Sequence, residues 1–422
     1  MKKRRTIFLF LIVIFFYFNQ KAKSVNNDTI IRIRLEANEC SFANHADYGI
    51  FIPKLSSSLQ GVLVLQHGCG MEQFGITKPY DLQYQAFARK WKLAIIETAL
   101  YGDCHIWNEP NSGSAAALFK VLKDVGLQTG CPELETAPFL IWGHSAGGYW
   151  SLAMLRDYPE RILGIVSYSA ARDPKWDYSS IAAKVPLILR HAGANDGTPE
   201  ILCSETAINT FNKLRTMGAP VNIVYNQGQN HNFSYLRYMM IPFFESVLKQ
   251  RLPKKKSAAL RDIQPNNTWL GDTLSLAIFK GSDYRGDKSC MCLFPDETTA
   301  RDWQEFVSTG TVIDKTPPPA PFNVRAKADG DTLVLTWEAD ADIESGIMYF
   351  NIYQDDKFIA KFPQDVPYQT FDTNGDNTIP VNVPEMKYRI ESTKKKKQKI
   401  GIQVVNHFNL QSPKTEIKYK QK

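Results

Sequence analysis

Between residues 50 and 252, short apolar runs alternate with stretches of helical periodicity. Apolar runs fall at 61–66, 93–97, 139–142, 162–168, 185–189 and 221–225. They are nearly continuous and rich in Val, Ile and Leu, as strands covered on both faces must be, which means a parallel sheet. Helical patterns lie between them at 81–90, 114–125, 146–156 and 205–217, the last closed by Gly218. Strand and helix in alternation predict an α/β domain with a doubly wound, mostly parallel sheet.

The period changes near residue 316. Thr316-Pro317-Pro318-Pro319-Ala320-Pro321 is a stiff, extended linker. Beyond it residues 332–337, 349–353, 400–406 and 416–420 read as short strands, several of them strictly alternating, the pattern of a small all-β sandwich. Residues 253–316 read as an appendage packed on the catalytic domain, with apolar weight in Trp269, Leu270 and Trp303. At the other end, Met1-Lys2-Lys3-Arg4-Arg5 precedes an unbroken apolar run from Ile7 to Phe18, with Ala22 and Ser24 after it. This is the pattern of a secretory signal peptide. A run of about 12 residues makes roughly 18 Å of helix, short of the ~30 Å hydrocarbon core of a bilayer. The expected division is therefore a signal peptide at 1–24, a catalytic domain at 25–252, the appendage at 253–316 and the sandwich at 317–422. Export to the periplasm or the medium follows, with no integral membrane span.

The formal charge of +7 changes little, because residues 1–24 hold six basic and no acidic residues. Removing six from +7 leaves +1, so overall charge argues for no nucleic-acid partner. The apolar fraction of 44% permits a large core. Seven Cys in an exported chain leave at least one thiol unpaired. Cys104 and Cys131 are one candidate pair to bridge two loops of the core, a pairing that sequence alone does not show. Cys290-Met291-Cys292 lacks the two further soft ligands that a metal would need, and no metal is expected. Lys394–Lys397 reads as a solvated turn, and Asp372–Asp376 as a turn without the spacing of a calcium loop.

The chemistry concentrates at Gly143-His144-Ser145-Ala146-Gly147, after one expected strand and at the start of an expected helix. A Ser at so tight a turn exposes its Oγ, and the glycines leave room where a Cβ would clash. The helix N-terminus behind it favours a developing oxyanion. Downstream, the apolar strand at 185–189 leads into His191-Ala192-Gly193-Ala194-Asn195-Asp196, and the last one, at 221–225, into Gly228-Gln229-Asn230-His231. Strand 61–66 leads into His67-Gly68-Cys69-Gly70. All four loops lie at the carboxyl ends of strands, where open α/β sheets bind ligands.

These four elements resemble the α/β-hydrolase superfamily, serine esterase type, over residues 50–252. The resemblance implies Ser145 as nucleophile, His231 as base and Asp196 as the acid that orients it. It implies an oxyanion hole from the backbone N–H groups of Ala146 and Cys69, with Gly70 the alternate, and no cofactor. Asp173 and Asp177 are competing acids. His67, His105 and His144 precede the serine, out of order for the base, and His191 sits at a strand end where it can pack or line the site. Tyr101, His105 and Trp107, on the loop after residues 93–97, are candidate substrate walls. His144 is a packed neighbour of the serine or a further wall. The linker, Leu335-Thr336-Trp337 and Gln403-Val404-Val405-Asn406 with Gln411-Ser412-Pro413 resemble a fibronectin type III domain over residues 320–422. Gly401-Ile402 departs from that family, which places a Tyr there. The combined expectation is an exported carboxylic-ester hydrolase whose partner is an ester substrate, a polysaccharide ester or a polyester. A serine peptidase and a non-catalytic adhesion protein are the alternatives.

Overall fold

The computed structural model describes residues 28–54, 58–198, 201–231, 236–253, 259–368, 385–393 and 397–420. The signal-peptide pattern and the turn at 372–376 lie outside the described residues, as does most of the lysine run at 394–397. No helix among the described residues is long and apolar enough to cross a membrane.

The first unit is built on one eight-stranded sheet. Its elements are β1 (Thr29–Glu36), β2 (His45–Ile52), β3 (Gly61–Gln66), α1 (Leu82–Trp91), β4 (Leu93–Tyr101), α2 (Cys104–Trp107) and α3 (Ser114–Thr129). They continue with β5 (Phe139–His144), α4 (Ala146–Asp157), β6 (Ile162–Tyr168), β7 (Leu187–His191) and a two-rung hairpin, β8 (Gly197–Thr198) and β9 (Ile201–Leu202). Last come α5 (Cys203–Thr216), β10 (Val221–Tyr225) and α6 (Arg237–Arg251). The sheet order is β1-β2-β4-β3-β5-β6-β7-β10. Only β2 runs against the others, pairing antiparallel with both β1 and β4. The six strands expected from the apolar runs are β3, β4, β5, β6, β7 and β10, and all but the Tyr ends of β4 and β10 are buried throughout.

The handedness of the crossovers places the helices. The step from β3 to β4 runs opposite to the steps that follow, so right-handed connections put α1 on one face and α3, α4 and α5 on the other. α6 returns to the face of α1, where Trp91 Nε1 donates to Glu245 Oε1 at 2.7 Å. On the opposite face Trp150 Nε1 of α4 donates to Ser114 Oγ of α3 at 3.0 Å. Asp81 starts α1 by accepting from the N–H groups of Gln83 and Tyr84, so two orphan donors are satisfied.

The segment after α6 is drawn into the same core. β11 (Trp269–Gly271), β12 (Ile278–Lys280) and β13 (Cys292–Phe294) form a small antiparallel sheet, followed by α7 (Glu297–Thr309). Its buried residues Cys292, Phe294, Ala300, Trp303 and Phe306 join the apolar cluster of the main sheet. Trp303 Nε1 donates to the Ile223 carbonyl on β10 at 2.8 Å, so this segment covers the open edge of the sheet.

The C-terminal unit contains two antiparallel sheets. One has the order β14 (Phe322–Asp329), β15 (Thr332–Glu338), β18 (Lys387–Glu391). The other has the order β17 (Lys357–Phe362), β16 (Tyr349–Gln354), β19 (Lys397–Val405), β20 (Thr415–Lys420). They share an apolar cluster of Leu333, Leu335, Trp337, Phe350, Ile352 and Ile402 with their neighbours. Ala86 of α1 belongs to that cluster too, and Gln83 Nε2 donates to the Ile343 carbonyl at 2.8 Å. Arg89 Nη1 meets Asp340 Oδ1 at 2.9 Å, so the unit docks on α1.

If α7 belongs to the core as this packing indicates, Trp303→Ala should lower the unfolding free energy by about 3–5 kcal/mol. Urea titration followed by fluorescence and circular dichroism checks this. A loss below about 1 kcal/mol would mean that α7 only rests on the surface.

Candidate active site

The loop after β5 is tightly constrained. Ser145 adopts φ 55° and ψ −114°, a left-handed conformation that an L residue holds only when its surroundings impose it. Its N–H donates to the Tyr168 carbonyl at 2.9 Å, and its carbonyl accepts from Ala171 N–H at 3.2 Å. The turn has no room for side chains at its ends. A Cβ on Gly143 would lie 2.1 Å from the Gly147 carbonyl oxygen. One on Gly147 would lie 2.5 Å from the carbonyl oxygens of both Gln66 and His67. The turn thus aims Ser145 into a cleft of about 670 Å³ at the C-terminal edge of the sheet.

Asp196 is fully buried on the loop after β7. Its Oδ1 accepts from His231 Nδ1 at 2.8 Å. Its Oδ2 accepts from Ala192 N–H at 2.7 Å and from Ser169 Oγ at 2.8 Å. Arg190 Nη1 stands 3.3 Å from the same oxygen and donates to Ser169 Oγ at 2.6 Å and to the Asn230 carbonyl at 3.0 Å. Burial alone would push the carboxyl pKa up, but the His231 hydrogen bond, the Arg190 charge and the Ala192 and Ser169 donors together hold it below the ordinary value. The acid is an ion at neutral pH. Asp173 and Asp177 pair instead with Lys175 and Lys213.

A carboxylate on Nδ1 fixes the neutral imidazole as the Nδ1–H tautomer and leaves Nε2 as an acceptor. His231 is one third exposed and lines the cleft together with Ser145. A serine beside such a histidine can be deprotonated as it attacks a carbonyl.

The loop after β3 is oriented by His67. This ring is buried, accepts from Leu100 N–H at Nε2 at 2.9 Å, and therefore donates from Nδ1 to the Gly68 carbonyl at 2.6 Å. Fixing that carbonyl fixes the whole Gly68–Cys69 peptide plane, and with it the opposite-facing Cys69 N–H. Cys69 and Ala146 both line the cleft, and neither N–H meets a backbone acceptor among the described residues. Cys69 is also held covalently by a disulfide to Cys104, Cα to Cα 5.5 Å. The candidate bridge between Cys104 and Cys131 is thus replaced by one that ties the loop after β3 to the loop after β4. Cys131 takes no part in that bridge, and Cys40, Cys203, Cys290 and Cys292 are not disulfide-bonded.

The candidate walls divide. His105 lines the cleft. Trp107 is fully buried, its ring centroid 4.9 Å from that of His67, because α2 turns its apolar side into the core. Tyr101 stacks on His45 at 4.1 Å, at the end of β4 and away from the cleft lining. His144 is buried, and its Nε2 donates to the His231 carbonyl at 2.8 Å, so it braces the His231 loop and offers nothing to a substrate. His191 is buried and stacked on Tyr225 at 5.2 Å. Among the described residues two sets of potential metal ligands cluster, Asp103–Cys104–His105 and Asp196–Cys203–His231. The disulfide removes the thiolate of the first, and the second contains the His231–Asp196 hydrogen bond already described.

Reasoning from sequence missed Arg190, Ser169 and the orienting role of His67. Arg190 had a signal, a cation directly after the apolar run Leu187-Ile188-Leu189 and on the same strand. A buried cation needs a buried anion.

The architecture is thus a mostly parallel sheet with helices on both faces and a strained serine between β5 and α4. No family model matches the chain, and no curated protein matches its sequence. Solved structures similar to it include poly(aspartic acid) hydrolase-1 from Sphingomonas sp. KT-1, at 14% identity and TM-score 0.37, over 54% of this chain and 98% of that one. A ferulic acid esterase aligns at 12% identity and TM-score 0.36, over 53% of this chain and 98% of that one. A thermostable esterase aligns at 15% identity and TM-score 0.37, over 47% and 54%. Likeness at this level says nothing of what the present chain acts on.

Burial makes three histidines hard to protonate, with pKa values lowered to about 4 for His67, about 3 for His144 and about 4 for His191. The charges of His231 and Arg190 add to the effect at His144. Each contributes stability that is complete above the unfolded value of about 6.5 and is lost as pH falls through the folded value. Each should therefore add a slope approaching about 1.4 kcal/mol per pH unit below pH ~6.5. Denaturant unfolding between pH 7 and 5 should show this slope, and His67→Gln should make it shallower. An unchanged slope in that variant would contradict a neutral, buried His67.

Proposed function

We propose that the chain is an exported serine hydrolase of the α/β-hydrolase superfamily that cleaves carboxylic esters. The observation that carries the reading is the 2.8 Å bond from His231 Nδ1 to a buried, ionised Asp196, in the same cleft as a serine on a strained turn. Ser145 Oγ attacks the ester carbonyl carbon and His231 Nε2 takes its proton. The oxyanion forms against the N–H groups of Ala146 and Cys69, already oriented by α4 and by His67. Collapse of the tetrahedral intermediate breaks the bond to the alcohol, which leaves with the proton from His231. Water, deprotonated by the same ring, then releases the acid and restores Ser145. Asp196 stays ionised throughout and stabilises the imidazolium.

Residues 1–24 are the export signal in this reading, and the disulfide suits an oxidising compartment. The C-terminal unit is a fibronectin type III-like sandwich. Its three-plus-four strand order and the buried Trp337 on β15 support that assignment. A secreted esterase with such a module suits a polymer ester, a polysaccharide ester or a polyester.

A fluorophosphonate probe should label wild type, and peptide mapping should place the label on Ser145. Ser145→Ala should take no label and lose about 10⁴-fold or more in p-nitrophenyl acetate hydrolysis. Labelling of Ser145→Ala equal to wild type, or no labelling of either, would reject the mechanism.

A further inference from the structure

The disulfide at the oxyanion loop joins two residues that are held very differently. Cys104 opens α2. The start of α2 is capped by Asp103, whose Oδ1 accepts from His105 N–H at 2.9 Å, and its far end is anchored by the fully buried Trp107. Gly102, two residues before Cys104, packs so closely that a Cβ there would lie 2.9 Å from Ala43 Cα. Cys69 has no comparable support. It is exposed, as is Gly70 beside it, where a Cβ would meet nothing within 4 Å. The backbone of this loop closes through a long bond, from Met71 N–H to the Gly68 carbonyl at 3.4 Å. His67 holds the same carbonyl, but a peptide held at one atom can still pivot about it. The bond from Cys69 to the rigid α2 removes that pivot.

We infer that Cys104 is a positioning residue whose bond to Cys69 sets the oxyanion donor, so that the chain hydrolyses esters efficiently only after this bond has formed in an oxidising compartment. The inference rests on the ester-hydrolase reading above and adds a condition to it. One of the two thiolates attacks a sulfur of a disulfide oxidant and expels a thiol. The other then attacks the mixed disulfide and expels the second thiol. The protein loses two electrons and two protons, and the oxidant leaves as two thiols. A chain folded under reducing conditions therefore holds the Asp196–His231 pair but a slack oxyanion loop. The difference falls on kcat, because an oxyanion donor acts on charge that develops only in the transition state. Few other thiols compete for the oxidant. Cys40, Cys203 and Cys292 are buried, and burial raises the pKa of each, which suppresses the reactive thiolate. Cys131 is half-buried and Cys290 exposed.

The test compares wild type refolded with oxidised glutathione and wild type refolded with excess dithiothreitol. Rates of p-nitrophenyl acetate hydrolysis are divided by the fraction of chain that a fluorophosphonate labels at completion, so that unfolded chain does not count. The reduced enzyme should show a kcat lower by about 10- to 100-fold with KM within about twofold, the pattern of a misplaced oxyanion donor. Reoxidation with glutathione disulfide should restore it. Cys104→Ser and Cys104→Ala should stay at the reduced level under both conditions. A Cys131→Ser/Cys290→Ser double variant should respond as wild type does, which assigns the response to the Cys69–Cys104 bond. Equal kcat in oxidised and reduced enzyme, a loss confined to KM, or a folded Cys104→Ser that matches oxidised wild type overturns this inference alone. So does a reduced chain that takes no label while the oxidised chain does, because the bond then serves folding and not positioning. An oxidised wild type that takes no label overturns it together with the ester-hydrolase reading.

Discussion

The arrangement of the site depends on keeping one negative charge, that of Asp196, in a place without water. The carboxylate stays ionised only because His231, Ser169, Ala192 and Arg190 surround it. These partners come from the loops at the ends of β6, β7 and β10, so the charge joins three neighbouring strand ends. Arg190 carries most of this linkage. It is as fully buried as Asp196, so the two are mutually required, and its second contact to the Asn230 carbonyl fixes the loop that carries His231. His144 meets the same loop from the other side through the His231 carbonyl. The orientation of His231 is thus imposed by backbone and buried charge, not by the imidazole itself.

A second constraint acts on the opposite side of the cleft. There the proposed oxyanion donors are backbone N–H groups, and what matters is the direction of a peptide plane. His67 sets it through the Gly68 carbonyl, and the Cys69–Cys104 disulfide restrains the same residue through its side chain. Two independent restraints on one peptide fit a group that must be in place before charge develops on the substrate.

The central sheet was legible because strands buried on both faces leave runs of Val, Ile and Leu that few other structures produce. β1 was less so, because Thr29–Glu36 alternates polar and apolar residues at an edge and carries no such run. The loops bearing Ser145, Asp196, His231 and Cys69 were also legible, since each follows a strand and holds a residue suited to one chemical task. Pairing was not. Nothing in the spacing of Cys69, Cys104 and Cys131 shows which two approach within bonding distance, because that depends on how β3 and β4 lie side by side. Side-chain direction was also hidden. Trp107 and Tyr101 sit on the expected loop, but one faces the core and the other His45. The penultimate strand offers a smaller example, where Gly401 leaves space for Lys414, whose ammonium lies 3.8 Å from the centroid of the Tyr353 ring.

The central claim is that a buried carboxylate holds His231 with its proton on Nδ1, leaving Nε2 free to take the proton of Ser145. ¹⁵N NMR of histidine-labelled enzyme, at a pH where the His231 ring is neutral, measures this directly. The account predicts an Nδ1-protonated ring with a bare Nε2 at His231, and loss of that preference in Asp196→Asn. An Nε2-protonated ring in wild type, or an unchanged tautomer in Asp196→Asn, would contradict it.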